Sequence, residues 1–311
     1  MEAAQLQPDD DQRRMASGVR MAIAAHLVWG ALPLYLLLVA AVPPAEYVAW
    51  RVLFTVPVCL AIMAARGTLG ELARVASDRR AMLALVGSAA TVGFNWTLYV
   101  WAVQTGHVYA ASLGYYILPL LMLLLGFAVL GERLTRLQWA ASALAALGVG
   151  SLALGALETL AISVALGASF AVYGLLRKVV AAGPLTGLTV ETLLLVPAAI
   201  GVIVWQAASP SGTSFGRDAT ESWAMAMAGP ITAVPLILFA AAARRMPYTA
   251  LGFLQFLSPT IIFIVGLTAF DEVLRPVQLI AFAVIWTAVG VFCWDLLRRR
   301  RRPLAVAAEP A

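Results

Sequence analysis

Ten stretches of about 20 apolar residues, separated by short polar breaks, constrain the fold of this chain more than any other feature. An α-helix needs about 20 such residues to cross a hydrocarbon core roughly 30 Å thick. Hydrophobic residues make up 62% of the 311 residues and charged residues 12%, whereas a soluble domain carries about 45–50% and about 25%. The sequence therefore predicts an all-α polytopic membrane protein with ten transmembrane helices.

The limits of the ten spans follow from the prolines, glycines and charged loops between them. Pro43-Pro44, Gly183-Pro184 and Arg275-Pro276 mark three of the breaks, because proline disfavours helical backbone in the residue before it. The spans, numbered 1 to 10, cover residues 19–39, 46–65, 81–103, 108–130, 137–154, 158–177, 186–207, 222–243, 247–270 and 276–296.

The basic residues indicate how the spans are oriented. With the N-terminus inside, 18 of the 21 Lys and Arg residues lie in cytoplasmic segments. Arg217 and Arg275 lie in external loops, and Arg51 lies inside span 2. Because cytoplasmic loops are enriched in Lys and Arg, we expect a multi-pass protein of the bacterial inner membrane with both termini in the cytoplasm. Residues 1–18 and 298–311 are then cytoplasmic tails, and the second tail is basic.

A shift of 140 residues brings the second half of the chain into register with the first. The matched residues include Pro119, Gly126, Glu132 and Gln138 with Pro259, Gly266, Glu272 and Gln278. At a slightly different shift, Trp29-Gly30 falls on Tyr173-Gly174. Residues 19–154 and 155–297 are therefore predicted five-helix repeats, and the odd number of helices inverts the second repeat relative to the first. Inverted repeats are typical of secondary transporters, which hold the substrate near the midplane between the repeats.

Eight segments of the sequence carry a resemblance to a known family. They read HLVWGALPLY, VPPAEYVAWR, FNWTLYVWAV, ASLGYYILPL, GERLTRLQW, FAVYGLLRK, ETLLLVPAA and LGFLQFLSPT. From about residue 20 to 297, the chain resembles the RarD branch of the EamA-type transporters, in the drug/metabolite transporter superfamily. The resemblance implies a 5+5 inverted-repeat fold with a central cavity that exports small metabolites or drugs, and the branch is named for chloramphenicol sensitivity. This chain has Leu118 where the branch commonly has asparagine.

Two ionisable residues lie well inside the spans, Arg51 and Glu191, and they coincide under the 140-residue shift. A charge within the bilayer costs at least a few kcal/mol, which makes such residues functional candidates. We expect each to face the central cavity and to anchor a charged substrate, with Glu191 also a candidate proton carrier. Inversion places them near opposite faces, so a direct ion pair is not expected. The alternative is a hydrogen bond to a neighbouring helix or snorkelling to the interface.

Prolines within spans 4 and 9 predict bends. Pro119 and Pro259 each remove a backbone hydrogen bond and free the carbonyl four residues earlier, on Tyr115 and Gln255. The bends are candidate hinges and the carbonyls candidate substrate contacts, against the alternative of static kinks packed on neighbouring helices.

Polar and aromatic residues recur on single faces of several predicted helices. A cavity lined by aromatic rings with few hydrogen-bonding groups suits amphipathic organic solutes, whereas the alternative is packing between helices. His26 is expected to be a packing residue. The candidate substrate pathway comprises Trp29, Arg51, Asn95, Tyr99, Tyr115, Tyr116, Tyr173, Glu191, Gln255 and Ser258.

The motifs that would indicate an enzyme or an ATP-driven pump are weak or missing in the sequence. The string from Gly212 to Gly216 fits G-x-S-x-G, but it lies in a predicted loop rather than on the strand-to-helix elbow that this motif requires. No P-loop or H-E-x-x-H string occurs, and neither a catalytic residue, a cofactor nor a metal is expected. A membrane-embedded lipid transferase and a channel remain the alternatives to a transporter.

The expected partners are a small-molecule substrate and the lipid bilayer. Nucleic acid is not expected, because the positive charges cap the apolar spans instead of forming a patch on a soluble face. Small residues on span 5, from Ala141 to Gly150, allow close helix packing. We expect these residues to pack against other helices of the same chain, and the alternative is that they form a homodimer interface.

Overall fold

The computed structural model describes residues 8–269 and 276–301, and every regular element in this part of the chain is helical. Two short 3-10 helices, Leu37–Val39 and Leu154–Thr159, follow α1 and α6. The α-helices are α1 (Pro8–Leu36), α2 (Pro44–Ala65), α3 (Gly70–Ser77), α4 (Arg79–Gln104), α5 (Val108–Ala128), α6 (Arg136–Ala153), α7 (Leu160–Val179), α8 (Pro184–Ala207), α9 (Ala219–Ala243), α10 (Tyr248–Leu254), α11 (Leu257–Ala269) and α12 (Pro276–Arg301). The predicted all-α class is confirmed.

The ten predicted spans correspond to α1, α2, α4 to α9, the pair α10–α11, and α12. Nine of them, within the described residues, are long and apolar enough to cross a membrane. The exception is span 5, because α6 has only 18 residues and begins with Arg136 and Gln138. Two details differ from the prediction: α1 begins at Pro8, inside the predicted tail, and the amphipathic helix α3 was not predicted. Glu272, Arg275 and residues 302–311 lie outside the described residues.

Helix starts follow ordinary capping chemistry. The Asp78 side chain accepts hydrogen bonds from the N–H groups of Arg80 and Ala81 at the start of α4. Thr135 and Gln138 form a reciprocal capping box at the start of α6. Pro44 and Pro184 occupy the first turns of α2 and α8, where proline has no intrahelical hydrogen bond to lose. These local signals place the loops between the apolar spans.

Helix pairing shows that the two halves are related by inversion. Each of α2, α5 and α6 packs against its own counterpart, α8, α10 and α12 respectively. The α6–α12 pair is antiparallel, since Thr135 before α6 donates a 3.1 Å hydrogen bond to Asp295 near the end of α12, while Gly148 faces Ile285. When a helix packs against its own repeat counterpart, a two-fold axis in the membrane plane makes the two helices antiparallel. An axis along the membrane normal would make them parallel.

The remaining pairs obey the same symmetry. Contact between α5 and α7 is matched by contact between α1 and α11, and α4–α7 contact is matched by α1–α9 contact. The prediction of two inverted five-helix repeats is therefore confirmed by the packing. We call the face with the start of α1 and the α5–α6 loop the N-terminal face. The face with the α4–α5 and α8–α9 loops is the opposite face.

Small residues bring the two halves into close contact. A Cβ atom added at Gly229 of α9 would overlap the carbonyl oxygen of Phe54 in α2. Such approach between helices needs residues without bulky side chains. On α6, Ala141, Ser142 and Ala145 are buried within the chain, whereas Ala146 is exposed. Most of the predicted small-residue stripe therefore packs internally.

Candidate functional site

A narrow cavity lies between the two halves, nearer the opposite face than the N-terminal face. The space between its walls, including its opening, amounts to about 620 Å³. Its first-half lining consists of Trp29, Leu32, Arg51, Asn95, Trp96, Tyr99 and Tyr115, and its second-half lining of Phe170, Leu236, Gln255, Ser258 and Ile262. Both repeats thus contribute side chains to one site, as in transporters that bind substrate at the repeat interface.

Seven of the ten predicted pathway residues line this cavity, namely Trp29, Arg51, Asn95, Tyr99, Tyr115, Gln255 and Ser258. Tyr116, Tyr173 and Glu191 do not line it. The Tyr116 hydroxyl donates a 3.3 Å hydrogen bond to the carbonyl of Pro259. Tyr173 is fully buried and its ring stacks against Phe239, with 6.4 Å between ring centroids.

Arg51 is the charged residue of the cavity lining. Its Nε donates a 2.6 Å hydrogen bond to the Thr232 hydroxyl of α9, and its guanidinium carbon lies 4.3 Å from the centre of the Trp96 ring. Among the described residues, no carboxylate lies within salt-bridge distance of it. The guanidinium is therefore oriented by both halves but is not neutralised by them.

Asn95 connects α4 to α7 beside the cavity. Its side-chain amide donates hydrogen bonds to the Leu166 carbonyl at 2.9 Å and to the Ser169 hydroxyl at 3.0 Å. Asn95 is 1% exposed. A buried amide that bonds two groups of a neighbouring helix fixes the wall of the cavity as well as lining it.

The second-half wall contains a break between α10 and α11 at Gln255 and Phe256. Around the break the backbone bonds reach back three residues, with the Gln255 N–H donating to Gly252 and the Ser258 N–H donating to Gln255. The break begins four residues before Pro259, where loss of the proline N–H is expected to disrupt the helix. Pro119, in contrast, lies within the uninterrupted helix α5. Discontinuous helices mark the binding sites of many transporters.

Two polar groups near the break are buried. The Gln255 side chain is 3% exposed and its Nε2 makes no hydrogen bond within the described part of the chain. His26 is fully buried and its Nδ1 lies 2.9 Å from the Ser258 hydroxyl. That contact holds α1 against α11, whereas Nε2 of His26 makes no hydrogen bond within the described part of the chain.

Glu191 lies in a second, closed site instead of the cavity. Its Oε1 lies 3.5 Å from Nη1 of Arg177, with both side chains fully buried, and the Ser88 hydroxyl donates a 2.5 Å hydrogen bond to it. Arg177 was assigned from the sequence to a cytoplasmic segment. In the structure its Nη2 donates to the carbonyls of Gly183 and Pro184, so the α7–α8 turn folds around the inward-pointing guanidinium.

Carboxylates also join the two halves at both faces. At the N-terminal face, Glu132 accepts hydrogen bonds from the backbone N–H groups of Tyr248 at 2.6 Å and Thr249 at 2.8 Å. At the opposite face, Glu46 accepts hydrogen bonds from the N–H and hydroxyl of Ser214 at 2.6 and 2.9 Å. The G-x-S-x-G string therefore forms part of this contact, and its two glycines supply positive φ angles of 64° and 92°.

The sequence did not single out Leu32, Leu236 and Ile262, which also line the cavity. An apolar residue in a membrane helix carries little that distinguishes a cavity wall from a lipid-facing surface. Helical spacing gives a partial signal, because Leu32 lies three residues after Trp29 and Ile262 four residues after Ser258.

Comparison with known proteins agrees with this architecture. The model of the EamA-like transporter family matches residues 16–154. An uncharacterized transporter of Pseudomonas aeruginosa is 39% identical, over 92% of this chain and 96% of its own. Protein RarD of Escherichia coli is 35% identical, over 94% and 99%. The chloramphenicol-sensitive protein RarD of P. aeruginosa is 31% identical, over 93% and 99%.

A solved crystal structure has the same fold, with a TM-score of 0.73 and 20% identity over 93% of this chain and 99% of that one. The relatives share about a third or more of their residues with this chain along almost its whole length. Together with the inverted halves and the cavity between them, these similarities show that the chain is a multi-pass membrane transporter and belongs to the RarD branch of the EamA-type transporters, within the drug/metabolite transporter superfamily.

Proposed function

We propose that this protein is a secondary transporter that exports small organic solutes, metabolites or drugs, across the bacterial inner membrane by alternating access. One observation carries the proposal: both inverted halves contribute side chains to the cavity at the break between α10 and α11. Two similar halves related by an axis in the membrane plane can exchange conformations, and that exchange moves the opening from one face to the other.

Residues buried near the N-terminal face support a second conformation of the transporter, open to that face. Under the repeat, Trp29, Arg51 and Tyr99 of the cavity correspond to Tyr173, Glu191 and Phe239. These three counterparts are fully buried toward the N-terminal face. In our proposal they line the cavity when it opens to that face.

The proposed orientation places the N-terminal face in the cytoplasm, together with both termini. The loops at this face carry Arg66, Arg74, Arg79, Arg80, Arg133, Arg244 and Arg245, as the positive-inside rule requires. The test is labelling of single cysteines with a maleimide that does not cross membranes, in a Cys59→Ala, Cys293→Ala background. On intact cells, Ser211→Cys should react and Ser77→Cys should not, and the reverse pattern would invert the orientation.

Glu191 is proposed to couple transport to protons once the N-terminal face opens. The support is its position as the repeat counterpart of Arg51 and its ion pair with Arg177. The measurement is transport rate against pH for the wild type and Glu191→Gln. An unchanged pH profile in the variant would remove Glu191 as the proton carrier.

A carrier is favoured over a channel because the two halves contact each other at the N-terminal face, whereas the cavity lies toward the opposite face. A channel would need a pore that continues from one face to the other. Glu132 accepts hydrogen bonds from Tyr248 and Thr249 across that joint. A lipid transferase would usually bring acidic or histidine residues together at one membrane face. Glu132 and Glu46 instead lie at opposite faces, where they accept hydrogen bonds from backbone N–H groups and the Ser214 hydroxyl.

Counterflow in proteoliposomes distinguishes these functions. Purified protein is first screened by thermal shift against a metabolite and antibiotic panel that includes chloramphenicol, because one relative is named for sensitivity to it. Radiolabelled hits are then used for uptake. Saturable counterflow supports the carrier, whereas ohmic conductance or product formation without translocation would contradict it. Leu32→Trp should block uptake by filling the cavity, and Leu147→Trp, at a 71% exposed position, should not.

A further inference from the structure

We propose that the solute carried in this cavity is an organic anion, an aromatic or similarly apolar monocarboxylate, whose carboxylate binds the Arg51 guanidinium. This inference rests on the proposed transport function and names the substrate class of the same cavity.

The lining has a net positive charge. Its twelve residues include one arginine and no aspartate, glutamate, lysine or histidine. The two described carboxylates that lie in neighbouring membrane helices are already engaged, Glu46 with Ser214 and Glu191 with Arg177. A guanidinium that faces a low-dielectric cavity without a protein counter-charge is stabilised by an anionic ligand.

The guanidinium is held in a fixed orientation with one edge available. Thr232 accepts a 2.6 Å hydrogen bond from Nε, and the guanidinium carbon lies over the Trp96 ring, 4.3 Å from its centre. The one side-chain hydrogen bond of Arg51 among the described residues is made by Nε, so its terminal nitrogens stay available. The edge formed by Nη1 and Nη2 matches the two oxygens of a carboxylate, which arginine binds through paired N–H groups.

Gln255 supplies a second polar group in the same cavity. Its side-chain amide is 3% exposed, and its Nε2 lacks a hydrogen-bond partner among the described residues. Buried polar groups of native proteins are almost always paired. An unpaired amide at the break between α10 and α11 is explained if the solute supplies the missing bond.

The rest of the lining is aromatic or aliphatic. Tyr99 and Tyr115 pack edge to face with 5.5 Å between ring centroids, and Trp29 packs in the same way on Phe170 at 5.5 Å. Such walls favour a flat apolar body. They offer no counter-charge to an ammonium group, so a zwitterionic amino acid should bind more weakly than the acid that lacks its ammonium.

A matched series of three ligands tests each part of this inference. The probes are 3-phenylpropionate, its neutral amide 3-phenylpropionamide, and phenylalanine, which adds an ammonium group to the same skeleton. Binding to the full-length wild-type chain in lipid nanodiscs is measured by calorimetry. The acid should bind about tenfold or more tightly than the amide and than phenylalanine, because the amide lacks the charge-assisted bond to arginine. Equal affinity for the acid and the amide would overturn the proposal without any variant.

Variants then assign the preference to Arg51. Arg51→Gln should remove the preference of acid over amide, and Arg51→Lys should keep part of it, because lysine retains the charge without the planar fork. The control is Arg217→Gln, an exposed arginine in the α8–α9 loop, which should leave the preference unchanged. A preference that survives folded Arg51→Gln protein would place the anion elsewhere and contradict the assignment.

Transport of the same ligands separates this inference from the function on which it rests. Counterflow of a neutral solute, with no binding of 3-phenylpropionate, would overturn the anion class and leave the carrier in place. Binding of 3-phenylpropionate through Arg51, with no solute in counterflow, would support the anion site and contradict the transport function.

Discussion

Arg177 and Glu191 form an ion pair in which neither side chain is exposed, with 3.5 Å between Nη1 and Oε1. The pair joins α7 to α8, and the Ser88 hydroxyl extends it to α4 of the other half. Two charges taken out of water depend on each other, because removal of one leaves the other uncompensated. The region closed at the N-terminal face therefore contains a charge pair as well as apolar packing.

Glu191→Gln should destabilise the protein by about 3–5 kcal/mol, because it leaves the buried Arg177 guanidinium without a counter-charge. The double variant Arg177→Met, Glu191→Leu should recover much of this loss, since it removes both charges. Thermal unfolding of the protein in detergent measures the change, and Glu158→Gln at an exposed position is the control. Equal stability of Glu191→Gln and wild type would show that the pair contributes little.

Gly187→Ala should also destabilise the protein, by about 2 kcal/mol or more, because a Cβ atom there would overlap Nη1 of Arg177. The guanidinium would have to leave its site against the α8 backbone. Gly201→Ala in the same helix has no atom within 4 Å of the added carbon, and it should be neutral or stabilising by up to about 1 kcal/mol. Thermal unfolding of both variants under one protocol compares the two sites. Similar unfolding temperatures for Gly187→Ala and Gly201→Ala would exclude crowding at Arg177.

Glu132→Ala should raise the population open at the N-terminal face by about tenfold or more, because two hydrogen bonds to a charged group across the halves are lost. Labelling of Phe239→Cys by a maleimide applied from that face, without the two native cysteines, reports the opening. Phe239 is fully buried in the structure. Glu221→Ala, in the first turn of α9 at the opposite face, is the control. Unchanged labelling in Glu132→Ala would show that the contact does not keep this face closed.

Pro259→Ala should slow transport while raising thermal stability, because the restored N–H allows α10 and α11 to join into one helix. We expect the counterflow rate to fall about tenfold if the break is a hinge. Pro119→Ala, in the continuous helix α5, should have a smaller effect on rate. A normal rate in a stabilised Pro259→Ala protein would indicate a static kink.

Much of this architecture was predictable because lipid imposes simple rules. Apolar length gives the spans, prolines give the breaks, and the 140-residue repeat gives the inversion. The break at Gln255 was implied by Pro259 for a local reason, the loss of a backbone donor. Seven cavity residues could be predicted from the sequence, because polar and aromatic side chains stand out from the aliphatic residues of a membrane helix.

The partner of Glu191 was not predictable by the same rules. Arg177 precedes Lys178 at the end of a span, where a basic pair normally indicates a cytoplasmic boundary. Only the tertiary structure shows that the α7–α8 turn and the bare backbone at Gly187 make room for a guanidinium inside. Arg177 and Glu191 are separated by a turn and part of a helix, so no helical spacing links them.

The correspondence between Arg51 and Glu191 has a consequence for energetics. An exact two-fold relation would make the outward-open and inward-open forms equal in free energy. Here the twin positions carry opposite charges, and only one of them has an ionic partner among the described residues. The unloaded carrier should therefore rest in one form, and the membrane potential should act differently on its two half-cycles. Such rectification needs no extra domain, because two side chains that break the symmetry of a duplicated scaffold are sufficient.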